Sequence, residues 1–508
     1  MNSDQVGYHQ VSDRPMITWV DPAFVDLRLV VESYSPVFLE VVRKIRSCQF
    51  PVMDLGSLVR SGYRVVYANT EFVDPRNYSG IPVRFVQAAN VVDGFPAIDF
   101  DQVGFVPGDY WERYPRGRIC PRELLIEVKG QIKKVAVVSD DPPMRTLISG
   151  SLYKVTPRPS VDVHYLASFV MSDSFQSAKD RLRSNSVISY LNKDDLYGLP
   201  VVLPPRPVQV YIGDKVRLAE RCHMRARELW EASTELLSET LGMPLSTEYF
   251  DKIDLDELQS ESYRLKSIEP VAAWIQADIV DHELGPQYFH PRRANVILKL
   301  RSSGAELARL TDLAVRRNDR ASASRLSRIP YYVGLADINS TIGYFDPVSP
   351  QEAGITGTSA LFRSGDILFS KLRPYLNKVS ICPDYIEQAC GSTELLIYRV
   401  YKGVLPYYVF FVLKSNVVLY QVIDVTSGST LPRVDPDVID DILVPMVPLE
   451  RQQAIDLNTR QVFSLLHQAT QFIDEAKADV EALIEGHLDV EGILNGQVKT
   501  PTWEDIAV

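Results

Sequence analysis

The feature that most constrains this fold is an internal repeat. The segment SPVFLEVVRKIRS (35–47) aligns with HPRRANVILKLRS (290–302), so that Pro36 falls on Pro291, 255 residues later. One shift held across several tens of residues is not expected by chance. We therefore interpret the chain as a duplication, in which each copy forms one globular domain.

A second register appears nearer the end of each copy. GLPVVLPP (198–205) faces DILVPMVP (441–448) at a shift of 243 residues. The first copy therefore carries twelve extra residues, the difference between 255 and 243. We place them in the Gly- and Pro-rich run 93–118, whose composition predicts an irregular loop.

Both copies show the same order of signals. An amphipathic helix (36–47 and 291–302) is followed by short β-branched segments separated by turn residues, which is typical of strands. A proline-containing segment then ends the last strand and precedes a long helix. The sequence thus predicts an α+β fold with two tandem mixed α/β domains, joined by two long antiparallel coiled-coil helices.

The long helices are predicted from apolar seams. The second has a heptad seam with apolar residues every 3.5 positions on average, and the first has a weaker one. The seams comprise Val462, Leu466, Ala469, Ile473, Ala476, Val480 and Leu483 in the second helix, and Ile212, Ala219, Cys222, Ala226, Leu229 and Leu236 in the first. At 1.5 Å per residue each helix spans roughly 50 Å. We expect them to pack on each other and hold the two domains at a fixed distance; the alternative is separate burial in unrelated cores.

Composition limits the function classes. The chain of 508 residues has no apolar run long enough to cross a membrane and no secretion signal at its N-terminus. Its five scattered cysteines favour reduced thiols and a cytoplasmic location. The seven dispersed histidines predict no metal site. A net charge of −11 argues mildly against nucleic acid, although it does not describe local patches.

Catalytic motifs are weak. DDPPM (140–144) resembles the D-P-P-Y/F loop of amino-methyltransferases, but Met144 replaces the aromatic residue and no Gly-rich cofactor turn precedes it. A turn after a strand explains it better. Glu127 and Lys129 give a two-residue match to a nuclease pattern, for which a solvated β-ladder is the preferred interpretation. No catalytic residues are predicted.

Two clusters of polar and basic residues recur in both copies, and their side chains are of the kinds that bind DNA. Lys and Arg favour phosphates, whereas Arg, Asn and Gln also bond to base edges. The candidate DNA-binding residues of the first cluster are Lys129, Gln131, Lys133 and Lys134 in the first copy, and Lys371, Arg373, Tyr375, Asn377 and Lys378 in the second. Those of the second cluster are Arg181, Arg183 and Asn185 in the first copy, and Ser429, Thr430 and Arg433 in the second. The alternative is that these are ordinary solvated turns.

At these residues the sequence resembles the specificity (S) subunit of type I restriction–modification systems. The resemblance rests on GDILFSKLRPYLNKV (365–379), GSTELLIYRV (391–400) and TSGSTLPRVDPDVIDDILVPMVPLERQQAI (426–455). The last resembles the family's junction between a target-recognition domain and a conserved helix. In the first copy only Gln209 and Ile212 echo the helix-start residues of this junction. The resemblance covers most of residues 25 to 486.

The resemblance implies a non-catalytic subunit that reads a bipartite, asymmetric sequence in double-stranded DNA. Two methyltransferase (M) subunits, which hold S-adenosylmethionine, would dock on it, and motor-nuclease (R) subunits can join. No cofactor or metal is expected on this chain. The residues assigned to the spacer helices and their partners are Ile212, Ala219, Leu229, Leu236, Gln452, Ile455, Val462, Leu466, Ile473 and Val480.

The resemblance also gives domain boundaries. They are an N-terminal extension (1–49), target-recognition domain 1 (50–205), spacer helix 1 (206–245), a linker with an amphipathic helix (246–304), target-recognition domain 2 (305–447), spacer helix 2 (448–486) and a flexible tail (487–508). Two other hypotheses remain open. One is a protein-binding scaffold of the same architecture with weak or lost DNA binding, and the other is a self-sufficient methyltransferase or nuclease.

Overall fold

The computed structural model describes residues 31–67, 69–183, 189–253, 263–268, 271–275, 286–326 and 328–506. The chain divides into two compact units. Unit 1 is built from residues before 221 and after 468, and unit 2 from residues 221–468. Each unit therefore takes one globular portion of the chain and about half of each long helix.

Unit 1 combines short helices with small sheets. Its elements are α1 (Pro36–Arg46), β1 (Val52–Asp54), α2 (Leu55–Leu58), β2 (Val59–Tyr63), β3 (Val83–Val86), β4 (Gly104–Val106), α3 (Tyr110–Arg113), β5 (Leu124–Glu127), β6 (Val135–Val137), β7 (Thr146–Ile148), β8 (Leu152–Pro157), α4 (Val163–Met171), α5 (Asp173–Asp180), α6 (Lys193–Tyr197) and β9 (Pro200–Val202). The first long helix, α7 (Arg206–Leu241), begins here and ends in unit 2.

Unit 2 follows the same general order but contains additional short helices and strands. Its elements are α8 (Thr247–Asp251), β10 (Tyr263–Ile268), β11 (Val271–Ile275), α9 (Pro291–Ser302), β12 (Glu306–Arg309), α10 (Leu310–Leu313), β13 (Ala314–Arg317), β14 (Arg320–Ala321), α11 (Ala323–Leu326), β15 (Tyr332–Val333), β16 (Ser359–Arg363), β17 (Ile367–Ser370), β18 (Val379–Ile381), β19 (Gln388–Gly391), β20 (Leu395–Val400), α12 (Pro406–Lys414), α13 (Asn416–Val422), α14 (Pro436–Asp440) and β21 (Leu443–Met446). The second long helix, α15 (Leu449–Glu485), begins here and ends in unit 1, where α16 (Val490–Leu494) follows.

Sheet topology confirms the duplication. The main sheet has strand order β2-β8-β5-β6 in unit 1 and β13-β20-β17-β18 in unit 2. A separate two-stranded sheet pairs Met53 with Val201 in unit 1 and Ala308 with Val444 in unit 2. These four residues obey both registers, because Ala308 follows Met53 by the larger shift and Val444 follows Val201 by the smaller one.

The placement of the twelve extra residues was wrong in part. The parallel pairs Phe85 with Leu147 and Tyr332 with Cys390 are equivalent, which aligns Tyr332 with Phe85 at a shift between the two registers. Eight of the extra residues therefore precede Phe85 of β3, and one of these eight is a β-bulge in β2. Four remain for the segment that contains 93–118. The Gly/Pro signal marks loops but does not count their residues.

The core of each unit lies between its sheets and helices. Apolar residues of the sheets and neighbouring loops form one cluster in unit 1, which includes Val86, Leu125 and Leu152, and another in unit 2, which includes Phe362 and Leu368. Helices α4 and α12 are buried along almost their whole length. Apolar burial of this kind is the main driving force for folding.

The long helices carry the predicted seams. All seven seam residues of α15 are buried, as are Ile212, Ala219, Cys222, Ala226 and Leu229 of α7. At the end of α7 the prediction was wrong: Leu236 is half-buried and Leu237 is fully buried. The buried positions there are Leu229, Ser233 and Leu237, which are spaced four residues apart. The spacing departs from the heptad pattern because an α-helix has 3.6 residues per turn, so its buried face drifts relative to a strict seven-residue repeat.

Within unit 1 the first half of α7 contacts the second half of α15, as an antiparallel pair requires. The Lys215 ammonium of α7 forms ion pairs with Asp479 at 2.7 Å and with Glu475 at 3.2 Å. After α15, the segment expected to be a flexible tail forms α16 and a 3-10 turn (Trp503–Asp505), and it buries Ile493 and Ile506.

Candidate nucleic-acid interface

In unit 2 the two polar clusters predicted separately lie side by side. Leu372 and Arg433 form a β-bridge. The Arg373 amide donates to the Pro432 carbonyl at 2.8 Å, and the Val434 amide donates to Lys371 at 3.0 Å. We call residues 370–378 and 427–434 the paired turns of unit 2.

Unit 1 makes the same contact at positions related by the second register. Lys129 and Tyr190 form the equivalent β-bridge. The Gly130 amide donates to Ser189 at 3.1 Å, and the Leu191 amide donates to Val128 at 3.0 Å. Residues 127–134 and 189–191 are therefore the paired turns of unit 1. Repetition of one backbone contact in both units makes the paired turns a structural feature of the repeat.

The predicted residues differ in accessibility. Those that are exposed are Lys129, Gln131, Lys133, Tyr375, Ser429 and Thr430. Those that are partly buried are Lys134, Arg181, Arg183, Lys371, Arg373, Asn377, Lys378 and Arg433. Asn185 lies outside the described residues. An approaching duplex would meet the first group without rearrangement.

Several of the partly buried cations have partners within the protein. Lys134 donates to the Val91 carbonyl at 2.9 Å and lies 3.1 Å from Asp93. Arg181 donates to the Ser33 carbonyl at 2.9 Å, away from the paired turns. Lys378 donates to the Ile338 carbonyl, and burial lowers the pKa of this lysine. These side chains stabilise loops in the structure as it stands.

Arg183 and Arg433 are paired but lie at the turns. Arg183 donates to Ser189 Oγ at 3.2 Å, which connects the second cluster of unit 1 to its paired turns. Arg433 donates three hydrogen bonds to Glu394, at 2.8, 3.1 and 3.3 Å. Those bonds lower the pKa of the Glu394 carboxyl, so this residue carries a negative charge beside the turn at neutral pH.

Arg373 differs from its neighbours. Its backbone is left-handed, with φ of 47°, and its Nε is buried without a hydrogen-bond partner. A non-glycine residue in this region of φ/ψ space is uncommon and indicates a local constraint. The equivalent residue in unit 1 is Gly130, also at positive φ. Both turns thus have a left-handed residue at this position, and in unit 2 it carries a guanidinium group.

Sequence reasoning missed an arginine-rich strand in unit 2. A cleft of about 420 Å³ is lined by Arg316, Arg317, Arg320 and Lys371, together with Asp319 and Asp437. Arg316 is held by Asp437 at 3.2 Å and Asp440 at 3.3 Å. The signal was available in AVRRNDRASASRLSR (314–328), which carries five arginines in fifteen residues.

A second missed feature in unit 1 places arginines on aromatic rings. The Arg118 guanidinium lies 4.3 Å from the Trp111 ring centroid, and that of Arg116 lies 4.0 Å from Tyr63. The segment WERYPRGR (111–118), predicted only as part of a loop, supplies most of these residues. The Arg118 guanidinium also donates to the Trp111 carbonyl at 2.7 Å and to Glu112 at 3.1 Å, so cation–π contacts and hydrogen bonds together fix its orientation.

The start of each long helix uses the two glutamines noted in the sequence. Gln209 donates to the Pro204 carbonyl at 2.9 Å and Gln452 to the Val447 carbonyl at 2.7 Å. Both bonds join the helix to the proline-rich strand end before it. Ile212 and Ile455, one turn later, are fully buried.

The described part of the chain holds no group of three or more His, Cys, Asp or Glu side chains placed to bind a metal ion. Asp140, the acidic residue of the DDPPM loop, accepts a hydrogen bond from Arg122 at 2.7 Å, and Met144 in the same loop is exposed. Among the described helices, none is long and apolar enough to span a membrane.

A duplicated α/β architecture with long paired helices and repeated polar turns defines the class of protein to compare. The chain is 26% identical over 137 residues to the type I restriction enzyme EcoDI specificity subunit of Escherichia coli, which is 27% of this chain and 30% of that relative. The match thus spans less than a third of the relative. It confirms the resemblance to type I specificity subunits, while no family model matches the chain.

Solved structures give weaker likenesses. The S subunit from M. genitalium is 12% identical and matches with a TM-score of 0.41 over 87% of this chain and 96% of that one. The HsdS subunit from Thermoanaerobacter tengcongensis is 15% identical, with a TM-score of 0.27 over 87% and 97%. A chain from a structural study of type I R-M complex assembly is 14% identical, with a TM-score of 0.26 over 88% and 98%. TM-scores of this size do not define a common arrangement of the whole chain.

Proposed function

We propose that this chain is the DNA sequence-specificity subunit of a type I restriction–modification complex or a related defence complex. Each unit would contact one half of a bipartite, asymmetric target through its paired turns. The observation that carries the proposal is the repetition of these turns, with the same bridge at register-related positions and exposed cationic or hydrogen-bonding side chains in both units. Two similar readers in one chain suit two half-sites.

The chain would act without catalysis of its own. Two methyltransferase (M) subunits, with S-adenosylmethionine bound to them, would modify an adenine in each half-site, and motor-nuclease (R) subunits would join for cleavage. The sequence match to a specificity subunit supports this division of labour. Seam residues of the long helices, such as Val462 and Ile473, would keep the spacer rigid, and exposed residues of the same helices would face the M subunits.

A randomised-duplex selection tests the proposal. The chain is purified with the methyltransferase encoded beside it, mixed with a pool of random duplexes, and the retained DNA is sequenced. We expect enrichment of one split motif with an unspecified spacer. If a stable complex retains DNA without sequence preference, the scaffold hypothesis is favoured instead. The contacts of Lys134 and Lys378 within the protein are compatible with that hypothesis.

A further inference from the structure

Each set of paired turns contains a strained residue near the same place. Ile132 has φ of 60°, and Asn377, close to the matching position of unit 2, has φ of 48°. The left-handed conformation is unfavourable for a β-branched residue such as isoleucine. Strain of this kind persists only when the surrounding structure enforces it, and it concentrates at functional sites.

A buried lysine bonds the carbonyl of each strained residue. Lys179 is 1% exposed and donates to the Ile132 carbonyl. Lys414 is 3% exposed and donates to Asn377 at 2.5 Å and to Asn339 at 3.3 Å. Neither lysine has a carboxylate partner among the described ion pairs. Burial of a lysine amine without a carboxylate partner is costly, so a fold that keeps two such lysines needs a reason.

The two lysines do not occupy equivalent positions. Lys414 is the last residue of α12, and the residue 243 positions before it is Met171. Lys179 lies in α5, and the residue 243 positions after it is Val422. Different helices therefore deliver an amine to the carbonyl of the strained residue in each unit. The feature common to both units is therefore an amine bonded to the carbonyl of the turn, and not the helix that supplies the amine.

The turns are also tied by side chains of their own. In unit 2 the Asn377 amide donates back to the Lys414 carbonyl at 2.9 Å, so the two residues hold each other in both directions. In unit 1 the buried Glu127 carboxylate accepts the backbone amides of Gln131 and Lys133 at 3.2 and 3.0 Å. Exposed Gln131, Lys133 and Tyr375 project from turns fixed in this way.

We propose that Lys179 and Lys414 are positioning residues for DNA recognition, each fixing one left-handed turn and so the direction of the side chains that read one half-site. This inference rests on the proposed function. It assigns a recognition role to two residues that do not themselves reach DNA, since both are buried. The unit 1 turn depends on Lys179 and the unit 2 turn on Lys414.

The test uses the full chain in its methyltransferase complex and the random-duplex selection, with Lys179→Met and Lys414→Met. Each variant is expected to reduce base discrimination about ten-fold at one or more positions of one half-site only, opposite halves for the two variants. Binding to a duplex without the motif should stay within about two-fold of wild type, because phosphate contacts remain. The exposed lysines Lys193 and Lys402 supply matched Lys→Met controls, which should leave the motif unchanged.

A purely structural role gives a different result. If both variants only melt at a lower temperature and retain the wild-type motif in both halves, the proposal is overturned. If Lys414→Met does not fold, Asn377→Gly decides. Glycine adopts the same left-handed backbone but loses the side-chain bond to the Lys414 carbonyl, so the turn should loosen and one half-site should relax. A folded Asn377→Gly variant with an unchanged motif refutes the idea. Failure of the wild-type complex to enrich any motif would instead defeat the proposed function itself.

Discussion

At the scale of single residues, Glu127 shows how burial changes the meaning of a motif. In sequence it resembled part of a nuclease signature or a solvated ladder, but it is 4% exposed and its carboxylate accepts three backbone amides of the turn. The interpretation as a solvated residue was wrong. Unit 2 has Ser370 at this place, which donates to the Leu372 carbonyl at 2.9 Å. The same turn is thus closed by different chemistry.

Lys179 gives a pH-dependent stability. Burial lowers its pKa from 10.5 to about 8, so between pH 8 and 10.5 the unfolded chain binds more protons and the folded state gains stability as pH rises. The gain is roughly 3 kcal/mol at most. We expect the difference in unfolding free energy between wild type and Lys179→Met to grow in favour of wild type from pH 7.5 to 9.5. Urea unfolding at each pH measures it, and a constant difference would contradict the assignment.

Arg373 should matter more for DNA affinity than its paired neighbours. We expect Arg373→Gly, which retains the left-handed backbone, to weaken motif binding by about ten-fold or more, the size of one good base contact. The exposed Arg451 on α15 supplies the control, Arg451→Gln. Fluorescence anisotropy on the selected motif measures both, and equal affinities for Arg373→Gly and wild type would show that this guanidinium does not contact DNA.

At the scale of elements, the two units cap equivalent helices with carboxylates from opposite sides. In unit 1 Asp162 precedes α4 and accepts the amides of His164 and Tyr165 at 3.0 and 3.2 Å. In unit 2 Asp456 of α15 accepts the amides of Tyr407 and Tyr408 at 2.8 and 3.2 Å. Each carboxylate satisfies N–H groups that a helix cannot pair within itself.

The residues opposite each carboxylate are exchanged as well. The counterpart of Asp456 is Gly213, where a Cβ would lie 2.6 Å from Asp162 Oδ1, and the counterpart of Asp162 is Leu405. Arg217 and Arg460, related by the same register, pair with the carboxylate in both units. In unit 1 the carboxylate belongs to the globular domain, and in unit 2 it belongs to the long helix. Both units nevertheless keep a carboxylate at the contact between the globular domain and the long helix.

This exchange predicts a rescue. Asp456→Gly should lower the unfolding free energy by about 1–3 kcal/mol, because buried amides lose their acceptor. Adding Leu405→Asp recreates the arrangement of unit 1 and should recover at least half of that loss. Thermal melts of the single and double variants measure the effect. A double variant no more stable than Asp456→Gly would show that the two arrangements are not interchangeable.

The helices and strands could be predicted because they follow from local periodicity in the sequence. The candidate site was harder to predict because it depends on contacts between distant residues. The seam of α15 and the shared order of signals in the two copies follow from apolar spacing and from the repeat, which the sequence displays directly. The bonds of Lys134, Arg181 and Arg433 join residues between 39 and 148 positions apart, and no local pattern encodes them. The paired turns were found as two clusters, but their contact was not foreseen.

At the scale of the whole molecule, the net charge of −11 conflicts with DNA binding only if charge is averaged. Exposed cations at the paired turns are few, so the chain alone should bind nonspecific DNA weakly and with a shallow salt dependence. Addition of the methyltransferase subunits, which would supply further phosphate contacts, should steepen it. Binding titrations between about 50 and 200 mM salt measure the salt dependence of affinity for the chain alone and for the complex. Equal salt dependences would show that the methyltransferase subunits make no phosphate contacts.

Each unit is proposed to read one half of a split DNA target. The most direct measurement co-expresses the chain with its neighbouring methyltransferase in a methylation-free host and maps N6-methyladenine by single-molecule sequencing. We expect methylation at one split motif, and replacement of residues 50–205 by the target-recognition domain of a relative should change one half of that motif and leave the other. A motif that ignores the exchange, or no methylation despite a stable complex, would contradict it.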